Sequence, residues 1–162
     1  MKAIAINGSP RKGWNTDMLL QQALRGAADA GAETELIQLS DLTFSGCRSC
    51  FACRRAGAET GRCMWKDDLQ PVLDKIHSAD AVFMGSPIYL GNVSGMMYCL
   101  MERLGGSSEY YAACDTLQFD DYSKFAAGSF NEAHKRKVRE EQFPKDLQAA
   151  YDIGFRLITK GK

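Results

Sequence analysis

Hydrophobic and polar positions alternate between two rhythms along this chain. Ala3-Ile4-Ala5-Ile6 is a continuous apolar run and reads as a strand buried on both faces. From Thr16 to Ala30 the period is helical, with Leu20, Ala23, Leu24 and Ala27 on one face, and Gly31 ends it. Glu33 to Leu39 reads as a strand near a sheet edge, because it carries Glu33, Glu35 and Gln38. Ser40 to Lys66 is irregular. Asp67-Asp68 is placed to cap a helix through Ser78, with Leu69, Val72, Leu73 and Ile76 inward. Ala81-Val82-Phe83-Met84-Gly85 is apolar throughout and predicts a central strand. Ser94 to Leu104 predicts a helix burying Met97, Leu100, Met101 and Leu104; Tyr110 to Cys114 is a candidate fourth strand. Residues 131–141 are highly charged and read as a solvated helix or loop. Lys145 to Thr159 is amphipathic, with Leu147, Ala150, Gly154, Leu157 and Ile158 on its apolar side. Such alternation implies an α/β domain with a parallel sheet and right-handed crossovers.

The first strand runs into Asn7-Gly8-Ser9-Pro10, then Arg11, Lys12 and Asn15-Thr16 at a helix start. A strand, a polar Gly/Ser loop and a helix N-terminus form an anion site, since free N–H groups and the helix dipole point at one spot. Ser9, Asn15 and Thr16 add donors; Arg11 and Lys12 add charge. Gly8 and Gly13 have the Gly-x4-Gly spacing of a nucleoside-triphosphate loop, but Trp14-Asn15 follow in place of Lys-Ser/Thr. The dinucleotide fingerprint Gly-x-Gly-x-x-Gly is absent as well. The loop therefore suits a monophosphate ester. The alternative is a polar β–α turn without a ligand.

The apolar strand 81–85 ends in Ser86-Pro87-Ile88-Tyr89-Leu90-Gly91-Asn92-Val93-Ser94. Ligands of open α/β sheets sit at the carboxyl ends of strands, so this segment is expected to face the phosphate loop. A rigid proline, Ile88, Leu90 and Tyr89 offer flat apolar surface, and Gly91-Asn92 expose backbone polar groups. Phosphate at one loop and a planar heterocycle at the next describe a mononucleotide, and FMN fits. Against this stands a loop whose Tyr89 only packs on a neighbour.

The 162 residues predict one domain over 1–162. A hydrophobic content of 45% supports one real core, and a formal net charge of +0 argues against nucleic acid or an anionic membrane as main partner. Met1-Lys2 leads straight into a strand, so a secretory leader is not expected, and the expected location is the cytoplasm. Cys47, Cys50 and Cys53 form Cys-x2-Cys-x2-Cys, and Cys63 follows after nine residues. A disulfide framework is disfavoured in a reducing compartment. The spacing leaves three readings open: a [4Fe–4S] cluster, zinc, or reduced and redox-active thiols. A ferredoxin-type run would place its fourth cysteine at Gly57. Arg48, Arg54, Arg55 and Arg62 are interleaved and could offset thiolate charge. Cys99 and Cys114 stand apart, and His77 and His134 read as surface residues. No Ser-His-Asp order stands out, as expected where a cofactor carries the chemistry.

Asn7-Gly-Ser-Pro-Arg-Lys…Asn15-Thr16, Gly85-Ser-Pro-Ile-Tyr89 and the cysteine loop between them resemble the flavodoxin-like NADPH-dependent FMN reductases, and more narrowly their iron–sulfur flavoprotein branch. Cys114-Asp-Thr-Leu-Gln-Phe-Asp-Asp-Tyr-Ser-Lys124 and Phe143-Pro-Lys-Asp146 are similar to that group's C-terminal region. The resemblance implies a three-layer α/β/α flavodoxin-like parallel sheet. Ser9, Arg11, Asn15 and Thr16 would hold the FMN phosphate; Pro87, Ile88, Tyr89, Gly91 and Asn92 would line the isoalloxazine. It implies a flavin-dependent oxidoreductase passing electrons from NAD(P)H through FMN to a flavin, quinone, cluster or other small acceptor. Cys47, Cys50, Cys53 and Cys63 would be the cluster ligands, though the last gap is long for that branch. Only Gly105-Gly106-Ser-Ser and Glu109 separate Leu104 from Tyr110, so the sheet is expected to lack one strand of five. That implies a homodimer or homotetramer completing the site or covering an exposed edge. The rival readings are a non-enzymatic electron carrier and a truncated paralogue without flavin.

Overall fold

The computed structural model describes residues 1–58, 62–104, 111–125, 128 and 130–160. β1 (Lys2–Asn7) lies between β2 (Glu33–Gln38) and β3 (Ala81–Gly85), parallel to both, with Ile4 opposite Glu35 on one side and Val82 on the other. Successive side chains of β1 point to opposite faces, and both faces are covered. Ala3 and Ala5 pack with Leu20, Ala23, Leu24 and Ala27 of α1 (Asn15–Asp29) and Ile158 of α5 (Phe143–Lys160). Ile4 and Ile6 pack with Val72 and Leu73 of α2 (Gln70–Ser78) and Met97 and Leu100 of α3 (Gly95–Met101). This is the expected α/β/α layering. It explains why β1 has no polar position between Lys2, at its half-buried start, and Asn7.

The α1 stripe is buried as its period requires. Gly31 ends the helix in the left-handed region (φ 93°), where its N–H donates to Ala28 O at 2.8 Å and the Ala32 N–H to Ala27 O at 3.0 Å. α1 crosses α5 at two glycines. A Cβ on Gly26 would lie 2.0 Å from Tyr151 O, and one on Gly154 1.9 Å from Ala23 O, so the two backbones touch.

Several expectations are corrected. β1 is the central strand, and β3 is an outer strand of the described sheet, with Met84 exposed. An apolar run reports covered faces and does not report how many neighbours a strand has. Tyr111 to Cys114 form no strand, and Tyr110 lies outside the described residues, as do Gly105 to Glu109. Three parallel strands are therefore found among the described residues. The segment Ile88–Val93 is a hairpin of β4 (Ile88–Tyr89) and β5 (Asn92–Val93), turned by Leu90 (φ 49°) and Gly91 (φ 78°). α3 keeps the expected face at Met97 and Leu100, which are buried, and Leu104 beyond it packs on the same core, but Met101 is exposed, and Arg103, past the end of the helix, is buried where it turns inward to an acidic partner. Leu157 of α5 is likewise exposed. α2 starts at Gln70. Asp67 and Asp68 precede its cap, where Asp67 Oδ1 accepts from the Leu69 N–H and Asp68 Oδ2 from the Thr43 N–H.

The charged stretch 131–141 is α4 (Glu132–Glu141), capped by Asn131, whose Oδ1 accepts from the His134 N–H at 3.0 Å. It is not merely a solvated face. Lys135 is buried and donates to Asp115 Oδ1 at 2.5 Å, and that ammonium is the main reason the Asp115 carboxyl is held below its ordinary range. His77 and His134 are exposed. Among the described residues no helix is long and apolar enough to cross a membrane.

Candidate functional site

The loops after β1 and β3 meet through Gly8. Its N–H donates to Gly85 O at 2.8 Å, and its carbonyl accepts from Ser94 Oγ at 2.7 Å. Ser94 also caps α3 by accepting from the Met97 N–H, and its own N–H donates to Ser86 Oγ at 2.8 Å. A Cβ on Gly8 would come within 2.9 Å of Met97 Cβ, so glycine is required for this closeness. The sequence reading placed Ser94 at a helix start and missed this role as the staple between the two loops.

Below the loop after β1, Asn7 is fully buried. Its Oδ1 accepts from the Ser9 N–H at 2.9 Å, and its Nδ2 has no partner. Ser9 is buried; its Oγ accepts from the Arg11 N–H at 3.1 Å. Gly13 takes a left-handed backbone (φ 74°), and its N–H donates to Asp17 Oδ2 at 2.5 Å. Trp14 precedes α1, and no side chain caps this helix, so the dipole end opens onto the loop. Asn15 and Thr16 form its first turn. The Arg11 guanidinium lies 3.6 Å over the Trp14 ring, and its Nη1 donates to Gln118 O at 2.7 Å. Lys12 points away, pairing with Asp41 at 2.6 Å on the surface. An unsatisfied buried amide, a buried hydroxyl, an uncapped helix and Arg11 form a donor set that suits a phosphate ester.

The second loop brings Ser86 and Pro87 beside Gly8 and projects β4–β5 outward. Ile88 and Tyr89 are exposed, and Leu90, at the turn, is exposed completely. An apolar residue held at positive φ in full solvent is doubly unfavourable by itself. Ile88, Tyr89 and Leu90 thus form an exposed apolar tip, with Gly91 and Asn92 exposed next to it.

The C-terminal part adds residues that sequence reasoning missed. Asn15 Nδ2 donates to Leu117 O at 2.9 Å, and Arg139 Nη1 donates to Asn15 Oδ1 at 2.8 Å. The segment 117–118 thus lies on the loop between β1 and α1, and α4 braces the start of α1.

The four cysteines do not converge. Cys47 and Cys50 are exposed, Cys53 and Cys63 half-buried, and among the described residues no three ligand-type side chains surround a common point. The donor type suits an iron–sulfur cluster, but this placement does not fit one. The loop is tied down instead by Arg103, which is buried after α3. It donates to Asp67 Oδ2 at 2.6 Å, to Ser45 O at 3.1 Å and to Trp65 O at 3.0 Å. Burial opposes its charge, yet Asp67 and the Cys63 side chain hold the guanidinium above its ordinary value. Burial likewise pushes Asp67 up, while Arg103 and the Ser45 and Leu69 N–H groups bring it below the usual carboxylate range.

The sequence profile of NADPH-dependent FMN reductases matches residues 1–113. An iron–sulfur flavoprotein of Methanocaldococcus jannaschii is 42% identical over 103 residues, which are 64% of this chain and 51% of that protein. One from Archaeoglobus fulgidus is also 42% identical over 103 residues, 64% of this chain and 48% of that protein. The chain thus spans about half the length of these curated relatives. A crystal structure of an azoreductase from Bacillus anthracis superposes with a TM-score of 0.57 at 12% identity, covering 96% of this chain and 99% of that one, which is a likeness of fold. The phosphate loop, the hairpin loop and the cysteine segment between them all fall within the matched residues, and the chain belongs to the NADPH-dependent FMN reductase family, in its iron–sulfur flavoprotein branch.

Proposed function

We propose that the chain is the FMN-binding part of a flavin-dependent oxidoreductase that takes electrons from NAD(P)H and delivers them to a small acceptor. The observation that carries this is the junction at Gly8, which sets a phosphate-type loop beside an exposed apolar hairpin at the carboxyl ends of adjacent parallel strands. Ser9, Arg11, Asn15 and Thr16 are assigned to the phosphate, and Lys12, turned to Asp41, to its rim. Ser86, Pro87, Ile88, Tyr89, Leu90, Gly91 and Asn92 are assigned to the ring. When bound, FMN supplies the redox-active ring. The chain's part is to neutralise the phosphate, fix the ring against the hairpin and exclude water from one of its faces. Nothing in these residues reads a 2′-phosphate, so NADPH and NADH are treated as equivalent donors. No step is assigned to a cluster at Cys47, Cys50, Cys53 and Cys63.

The test is the visible spectrum of anaerobically purified protein with added FMN, before and after NADPH. A flavin band that bleaches on addition is expected. A band that persists would leave only the electron-carrier reading. A colourless protein that takes up no FMN would end the flavin reading. A broad iron–sulfur absorbance, with matching iron and sulfide, would require the cysteine loop to rearrange.

The exposed Tyr98 and Met101 of α3 are assigned to contact with a second copy of the chain. Light scattering is expected to give a dimer or tetramer; a monomer would remove this assignment.

A further inference from the structure

Two hydrogen bonds fix the side-chain amide of Asn15. Arg139 Nη1 donates to its Oδ1 at 2.8 Å, and its Nδ2 donates to Leu117 O at 2.9 Å. An asparagine amide presents a donor on one side and an acceptor on the other, and an unheld amide can turn either way. Arg139 can only donate, so it dictates the orientation: oxygen toward α4, NH2 toward the loop. Arg139 is itself held. Its guanidinium lies 4.3 Å over the ring of Phe143, which is buried, and its Nη2 lies 3.4 Å from Met18 Sδ.

The atoms that now accept from this loop are two consecutive carbonyl oxygens: Leu117 O from Asn15 and Gln118 O from Arg11, at 2.9 and 2.7 Å. Two oxygens on two neighbouring donors are what a phosphate monoester would present to the same pair. The donors are thus already turned to receive oxygen, and exchanging carbonyls for a phosphate needs no change at Asn15 as long as Arg139 holds its far side.

We infer that Arg139, in the C-terminal part beyond the family-matched residues 1–113, is a positioning residue for the phosphate of the flavin, acting through Asn15. This rests on the FMN reading above. With Arg139 gone, the amide of Asn15 turns freely and for part of the time offers its oxygen to a dianion. The loss falls on the phosphate and not on the ring.

The experiment measures the affinity of the full chain for FMN and for riboflavin, which lacks the phosphate, by flavin fluorescence. Arg139→Met keeps an unbranched stem over Phe143. It is expected to weaken FMN about tenfold, the range of a hydrogen bond to a charged group, and to leave riboflavin within about twofold. Arg139→Lys restores a donor and is expected to recover most of the FMN affinity. In an Asn15→Ala background, Arg139→Met should have little further effect on FMN, since both act through one amide. Unchanged FMN affinity in Arg139→Met would overturn the inference. So would an equal loss of FMN and riboflavin, additive effects in the double variant, or a methionine variant that does not fold, each of which makes Arg139 a structural residue or an idle one. If the wild-type chain takes up riboflavin or FMN, the parent reading stands whatever Arg139 does; if it takes up neither, that reading fails first.

Discussion

Arg103→Met is expected to cost about 3–5 kcal/mol of stability, the range for removing one partner of a buried ion pair. A domain of this size has about 5–15 kcal/mol in total. The guanidinium side chain is 1% exposed and its partner Asp67 13%. Methionine would leave the Asp67 carboxylate, Ser45 O and Trp65 O without their donor in a space water reaches poorly. Urea unfolding followed by circular dichroism measures it. Lys12→Ala is the contrast: its pair with Asp41 is more than half exposed on both sides, and such pairs contribute about 0–1 kcal/mol. A loss in Arg103→Met no larger than in Lys12→Ala would show that the pair is not structural.

The same pair has a pH signature. Asp67 lies below its ordinary value of 3.8 in the folded chain, so the unfolded chain binds the proton more readily. Its contribution is therefore complete above about 3.8 and disappears as pH falls through the lower, folded value. Glu35, held down chiefly by the Lys75 hydrogen bond, and Asp115, held down chiefly by that of Lys135, follow the same direction. The wild type should accordingly lose stability below pH 4 more steeply than Arg103→Met, which retains the Glu35 and Asp115 components and lacks that of Asp67. Parallel curves would contradict this.

Periodicity made legible those elements whose neighbours it encodes directly. The continuous run 3–6 and the stripe Leu20, Ala23, Leu24, Ala27 each report a covered surface, and both are where the pattern puts them. Polar loop chemistry at Asn7–Thr16 was legible because a strand end and a helix start are local. What escaped was decided by partners far along the chain. Asp67 reads as a helix cap until Arg103 is seen to turn inward and claim it. Residues 131–141 look like a solvated face because six of them are Lys, Arg or Glu in the run Lys135-Arg-Lys-Val-Arg-Glu-Glu, while Lys135 and Arg139 make long-range contacts that no local pattern marks. The hairpin at Ile88–Val93 was missed because its turn is Leu90-Gly91, and leucine is an unusual choice for a left-handed position. The cysteine spacing states which ligands are available and says nothing of whether the loop brings them together.

Gly154→Ala is expected to be the most disruptive glycine-to-alanine change among the described residues. Two effects oppose each other. Alanine is the better helix former, worth about 1 kcal/mol in an interior position of α5. Against that, its Cβ would sit 1.9 Å from Ala23 O and 2.7 Å from Ala23 C, both backbone atoms of α1. Overpacking against side chains costs about 1–3 kcal/mol, because rotamers can yield; here no rotamer can, and the helices must part. Gly26 faces the same crossing from the other side, so separation there also uncovers Leu20, Ala23 and Ile158 in the core below. The net loss should therefore exceed about 3 kcal/mol, seen as a lower urea midpoint or as insoluble expression. Gly95→Ala is the control: nothing lies within 4 Å of its would-be Cβ, and its change should stay within about 0.5 kcal/mol. A Gly154→Ala chain as stable as the wild type would mean that α5 does not cross α1 at this glycine. It would also undercut the placement of α4, which packs on α5, and with it the reach of Arg139 to Asn15.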